Sequence, residues 1–119
     1  MKNTIIDRTK HFAVNIIKMT EFLPKSYASS VISKQIVRSA TSVGANYRAS
    51  QRARSDREFI AKLQIVLEES DETLYWLEII QEMNWLPSES LLPIISEANE
   101  LTAIFVSSLK TVKERIKES

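Results

Sequence analysis

Residues 30–53 read SVISKQIVRSATSVGANYRASQRA, and the helical wheel they draw decides the fold. Ile32, Ile36, Ala40, Val43 and Tyr47 recur at steps of three and four, so they share one face of a helix. Lys34, Arg38, Thr41, Ala45, Arg48 and Arg52 recur in the same way on the opposite face. A helix divided like this buries its apolar side and leaves its basic side to water or a polyanion. The spacing predicts a helix from Ser29 or Ser30, either of which can cap it, to about Ala53. Gly44 lies inside it, where it costs ~1 kcal/mol relative to alanine, but it also lets a neighbouring helix come close.

The flanking segments read as three more helices. The first runs from Thr4 to Leu23, with Ile5, Phe12, Ile16, Met19 and Leu23 on one face and Pro24 as its stop. Ser55-Asp56-Arg57-Glu58 is a capping box, in which hydroxyl and carboxylate satisfy backbone donors reciprocally. It opens a third helix over Asp56 to Asn84, with Phe59, Leu63, Val66, Ser70, Thr73 and Leu77 inward. The alternative is one continuous helix through Arg54, which would be unusually long for a globular domain. Ile60, Leu67 and Leu74 on one flank and Ile65 and Trp76 on the other widen the apolar arc, which suggests burial against another subunit. The fourth helix begins between Ser88 and Ser90, with Pro93 expected in its first turn. Ile94, Ala98, Leu101, Phe105, Ser108 and Val112 form its inner row. Lys110, Lys113, Arg115 and Lys117 suit the negative end of its dipole. Four long helices with short connections form an all-α, antiparallel up-down-up-down four-helix bundle, a single domain over residues 1–119.

Composition narrows the function. The 119 residues contain no cysteine, so there are no disulfides and no thiolate metal sites, which fits a cytoplasmic setting. Met1 to Lys10 has no apolar core of signal-peptide length. No apolar run approaches the ~20 residues of a membrane span. His11 is the sole histidine, so a dinuclear carboxylate–histidine site lacks ligands, and no glycine-rich phosphate loop is present. No cofactor and no enzymatic activity is expected.

Charge is informative only by position, because the total is +1. Six basic residues lie between Arg38 and Lys62 against Asp56 and Glu58, whereas residues 63–84 hold six acids and no base. Lys34, Arg38, Arg48, Arg52, Arg54 and Arg57 are the candidate contacts to nucleic-acid phosphates. The strip lacks interleaved aromatics apart from Tyr47, so such binding would be led by charge and shape. The competing reading is a solubilising face matched to the acidic strip of another helix or subunit. Ser39, Ser42 and Asn46 form a polar flank beside the core face. Either Asn46 bonds a carboxylate such as Glu69 or Glu72, or the flank is an oligomer contact or a ligand groove. Glu69 and Glu72 are themselves either a cation site or a solvated, hydrogen-bonded pair.

The runs Arg38 to Arg48, Asp56-x-Glu58-Phe59-Ile60-x-Lys62-Leu63 and Glu69-x-x-Glu72-Thr73-x-Tyr75-Trp76-Leu77 resemble bacterial ribosomal RNA intervening-sequence proteins. The resemblance implies an antiparallel four-helix bundle assembled as a pentameric ring, with no assigned catalytic residues. A related bundle accompanies the reverse transcriptase of diversity-generating retroelements, where it binds that enzyme and nucleic acid. The expected partners are therefore further copies of the chain and RNA or DNA. The alternative is a protein-interaction scaffold, such as a reverse-transcriptase accessory-like subunit, that does not bind nucleic acid. Arg48-Ala49-Ser50 and Glu68-Glu69-Ser70 replace Arg-Glu-Ala and Lys-Glu-Ala of that pattern, and both changes sharpen the charge separation.

Overall fold

The computed structural model describes residues 4–118, so Met1–Asn3 of the N-terminal stretch lie outside the described residues. The described residues form four helices: α1 (Thr4–Thr20), α2 (Tyr27–Ser50), α3 (Asp56–Glu82) and α4 (Ser88–Glu118). Each helix packs on the next in sequence, and α1 closes the ring lightly on α4. Orientation follows from register. Asp56 meets Arg115 and Ser70 meets Thr102, so α4 recedes as α3 advances and the two are antiparallel.

The inner rows are those the periodicity predicts. Ile36, Ala40, Val43 and Tyr47 of α2 are buried against Leu63, Val66, Leu77 and Ile80 of α3 and Leu91, Leu101 and Phe105 of α4. Phe12, Ile16 and Met19 of α1 complete the core, as does Leu23 just beyond it. Tyr47 and Phe105 pack in a tilted pair across the bundle, 5.7 Å between ring centres. Buried hydroxyls stay paired. Thr73 donates to Ser39, which donates to the Ile36 carbonyl, and Ser70 meets Thr102 at 2.6 Å.

Most differences from the sequence reading lie at helix ends. α1 stops at Thr20 because Glu21, Phe22 and Leu23 donate three residues back, which tightens the chain into a 3₁₀-like turn before Pro24. The cap of α2 is Ser26, whose hydroxyl accepts from the Ser29 amide, so the helix starts earlier than Ser29 or Ser30 allows. α2 ends at Ser50, which places Arg52 beyond the helix and outside its wheel. Residues 51–55 break the chain, and the Ser55 hydroxyl caps α3 by accepting from Glu58 N; there is no continuous helix through Arg54.

α3 ends at Glu82, two residues short of expectation. Asn84 is left-handed (φ 55°), Asn84 N–H donates to the Gln81 carbonyl and Trp85 N–H to the Ile80 carbonyl. This is the Schellman geometry, with asparagine in the usual glycine place. α4 starts at Ser88, which makes Pro93 its sixth residue and moves it beyond the first turn. The helix loses one hydrogen bond there, on an exposed face.

Two features brace α1. Arg8 forms a fork with Glu97 (2.6 and 3.1 Å) and reaches Glu100 at 3.0 Å. The hydrogen bond to Glu97 raises the guanidinium pKa further above its ordinary value. Gly44 lies against the backbone of Thr9, where an added Cβ would stand 3.4 Å from the Thr9 carbonyl oxygen.

Candidate nucleic-acid interface

The six basic residues singled out in the sequence divide into three groups. Lys34 and Arg48 stand exposed on the outer face of α2. Arg52 and Arg54 lie exposed in the α2–α3 connection, and Arg57 is exposed in the first turn of α3. Arg38 is different. Its guanidinium bonds Glu69 at 2.8 Å and also bonds Glu72, and its side chain is half exposed. It is therefore a structural tie between α2 and α3, not a free member of the strip. No ion pair engages Lys34, Arg48, Arg52, Arg54 or Arg57 among the described residues.

Arg38 also explains the polar flank. Glu69 and Glu72 do hold a cation, but that cation is the chain's own guanidinium. With both carboxylates engaged, Asn46 turns back along α2 and donates to the Ser42 carbonyl and hydroxyl at 3.0 and 2.9 Å. The expected Asn46–carboxylate bond does not form. Ser39 is fully buried and bonded to Thr73, so it belongs to the core. Among the described residues, no group of three His, Asp or Glu side chains converges as a metal site. His11 is exposed on α1. No helix of the described residues is long and apolar enough to cross a membrane.

The fold adds cations that sequence reasoning did not place with the others. Lys10 of α1 lines a shallow groove with Thr41, Gly44, Ala45 and Arg48, because Gly44 lets α1 lie close to α2. At the end of the bundle, Arg54 and Arg115 line one depression with Ser55, Asp56 and Phe59. The contact between Arg115 and Asp56 at 2.7 Å shows why: it brings the last turns of α4 beside the first turn of α3. Arg115 of the basic tail, read from sequence as a complement to the α4 dipole, thus sits at the arginine corner. The signal was available in the antiparallel register, since α3 begins where α4 ends.

Residues 48–62 and 110–117 together carry nine basic and three acidic side chains, a net +6 in a chain whose total is +1. The rest of the molecule is therefore net acidic, and charge is polarised along a body 52 Å long. The opposite end is apolar as well. Val14, Ile17, Phe22, Tyr27 and Val31, clustered in sequence around the α1–α2 turn, are all exposed, Phe22 at 76% and Tyr27 at 86%. By contrast, the wide apolar arc of α3 is largely absorbed inside the protomer. Ile60, Leu67, Leu74 and Trp76 pack on the core, and only Ile65 of those flanking residues is exposed.

Comparison with known proteins agrees with this architecture. The profile of a family described as 23S rRNA-intervening sequence protein matches residues 1–107. A crystal structure of a protein of unknown function from the S23 ribosomal protein family of Bacteroides thetaiotaomicron superposes with a TM-score of 0.82. It is 38% identical, and the match covers 89% of this chain and 98% of that one. No curated protein matches the chain.

Proposed function

The chain belongs to the 23S rRNA-intervening sequence protein family, and on that premise we propose that it is a non-enzymatic helical bundle that binds structured RNA or DNA through its basic end. The observation that carries this reading is the set of exposed, unpaired arginines Arg48, Arg52, Arg54 and Arg57 within ten residues at one end of the bundle. Four exposed guanidinium groups within ten residues concentrate positive charge that a polyanion compensates. Phosphates do so and release counterions, so affinity falls steeply with salt. Phe59, the aromatic residue lining the depression beside Arg54, packs on the core, so recognition follows charge and shape, not base sequence.

The same reading includes self-assembly, with the pentamer implied by the family resemblance. Its support is the exposed apolar group Val14, Ile17, Phe22, Tyr27 and Val31, which lies away from the basic end. In such a ring, every copy contributes its own basic end.

Fluorescence anisotropy with a duplex probe at 50 and 200 mM salt tests the binding. Binding at the lower salt, weakened steeply at the higher, is expected. R48E/R52E should reduce affinity for all sequences about equally. Absence of binding at 50 mM salt removes the proposal in favour of a scaffold that meets an acidic protein face. Light scattering tests the assembly, and a monomer at micromolar concentration contradicts it.

A further inference from the structure

Residues 63–84 carry six acids and no base, and the basic end makes no use of them. Arg38 takes Glu69 and Glu72. Glu68, Asp71, Glu78 and Glu82 stay exposed, and no ion pair engages them among the described residues. With Tyr75 they recur at steps of three and four, so they form one outer ridge of α3 with an exposed ring at its middle. A second face carries the opposite charge. Lys10, Val14 and Ile17 form an exposed row on α1, and Lys34 and Thr41 lie on the exposed row of α2. Lys10 and Thr41 line one groove, so the two rows make one face. Lys10 and Lys34 have no ion pair either among the described residues. The acids Asp7 and Glu21 stand at the ends of the α1 row, outside the span from Lys10 to Ile17.

Resting on the reading above that the chain self-assembles, we propose that the α1–α2 face of one copy docks on the α3 ridge of the next. Register sets the heights of both patches along the bundle. Ser39 meets Thr73, so Lys34, five residues before Ser39, lies level with Glu78, five residues after Thr73. Gly44, five residues after Ser39, lies level with Glu68, and Lys10 packs beside Gly44. Ile17, seven residues on from Lys10, lies level with Val37 of α2 and hence with Tyr75. Over ~15 Å of helix the order is thus base, apolar, base on one patch and acid, aromatic, acid on the other. Neighbours in a closed ring about an axis along the bundle are related by rotation alone, so residues at equal heights meet. Within the protomer α1 and α3 do not pack on each other, so these patches meet between copies. Two like patches would set base against base or acid against acid, which favours the unlike, head-to-tail contact. Lys34 becomes an interface residue, and phosphate binding is left to the arginines at the basic end.

The test is a charge swap read by light scattering at micromolar concentration, with circular dichroism to check that each variant folds. K10E/K34E makes both patches acidic and E68K/E78K makes both basic, so each should fall to the protomer mass. The quadruple variant K10E/K34E/E68K/E78K restores opposite charges on exchanged patches and should return to the wild-type mass. The chain has no cysteine, so I17C/Y75C supplies a direct readout. A disulfide needs Cα atoms within ~7 Å, and oxidation should give a covalent ladder with the double variant and none with either single one. A wild-type monomer overturns the self-assembly reading together with this docking. A wild type that assembles, with both reversal variants still assembled and no ladder, overturns the docking and leaves self-assembly standing through another face. Dissociation that the quadruple variant does not reverse, again without a ladder, overturns it as well. A crosslinked dimer from I17C alone overturns it in favour of a like-to-like contact.

Discussion

Arg115 donates to Asp56 at 2.7 Å, and that contact joins the end of the fourth helix to the start of the third. Both side chains are about half exposed, at 61% and 48%, so the pair adds little to stability. Its importance is positional. It marks where two basic segments, far apart in sequence, become one end of the molecule. Asp56 is also one of only three acids in those segments.

Asp56→Asn should therefore separate stability from binding. Losing an exposed ion pair and a first-turn acid costs about 0.5–1 kcal/mol, read by urea denaturation. Duplex affinity should rise at the same time, and the salt slope should steepen by up to about 1 as Arg115 becomes free for a phosphate. Affinity that falls together with stability would mean that the pair organises the binding surface.

Arg38→Gln should behave in the opposite way. It leaves Glu69 and Glu72 facing each other without their shared cation, beside Glu68 and Asp71. The expected loss of stability is about 1 kcal/mol, limited by the half-exposed position of Arg38 and reduced further in high salt. Nucleic-acid affinity should fall much less than in R48Q, because the Arg38 guanidinium is already engaged. Equal losses of affinity in R38Q and R48Q would return Arg38 to the binding strip.

These contrasts show what a wheel can and cannot reveal. Ile36, Val43, Leu63, Leu77 and Phe105 follow from helical periodicity because burial acts on every turn alike. The Ser55 cap is equally legible, since hydroxyl, spacing and preceding break coincide. Arg38 looks like Arg48 on a wheel. Only the approach of α3 shows that Glu69 and Glu72 claim the first and leave the second exposed. The place of Arg115 escaped for a similar reason: its neighbours are set by antiparallel register, which no local pattern contains. The exposed apolar surface was expected on α3, where the arc is wide. There Ile65, Tyr75 and Met83 are exposed, but the most exposed apolar side chains, Phe22 and Tyr27, lie around the α1–α2 turn, because α2 and α4 cover much of both flanks of α3.

The start of α2 offers a direct check on a boundary that sequence placed too late. Ser26 accepts from the Ser29 amide at 3.1 Å, whereas Ser30 is an exposed residue within the helix. Ser26→Ala should cost about 1 kcal/mol by losing the cap. Ser30→Ala should leave stability unchanged within about 0.5 kcal/mol, since alanine favours helix and no cap is lost. The reverse order in thermal or urea unfolding would move the helix start to where the serine run alone suggests.

Gly44 tests how tightly α1 is held. A methyl group there would meet the Thr9 carbonyl oxygen at 3.4 Å and the Lys10 nitrogen at 3.8 Å, which is ordinary contact. Gly44→Ala should therefore keep most of the ~1 kcal/mol by which alanine favours a helix over glycine, with unfolding shifted to higher urea. A longer side chain has no such room against α1 backbone, which cannot give way as the tip of a side chain can. Gly44→Leu should push α1 outward and cost about 1–3 kcal/mol, the usual range for overpacking. Because Lys10 and Arg48 both line this groove, one on each helix, G44L should also move them apart and weaken duplex binding, while G44A leaves binding intact. If alanine proves as damaging as leucine, the α1–α2 contact is tighter than the 3.4 Å approach implies.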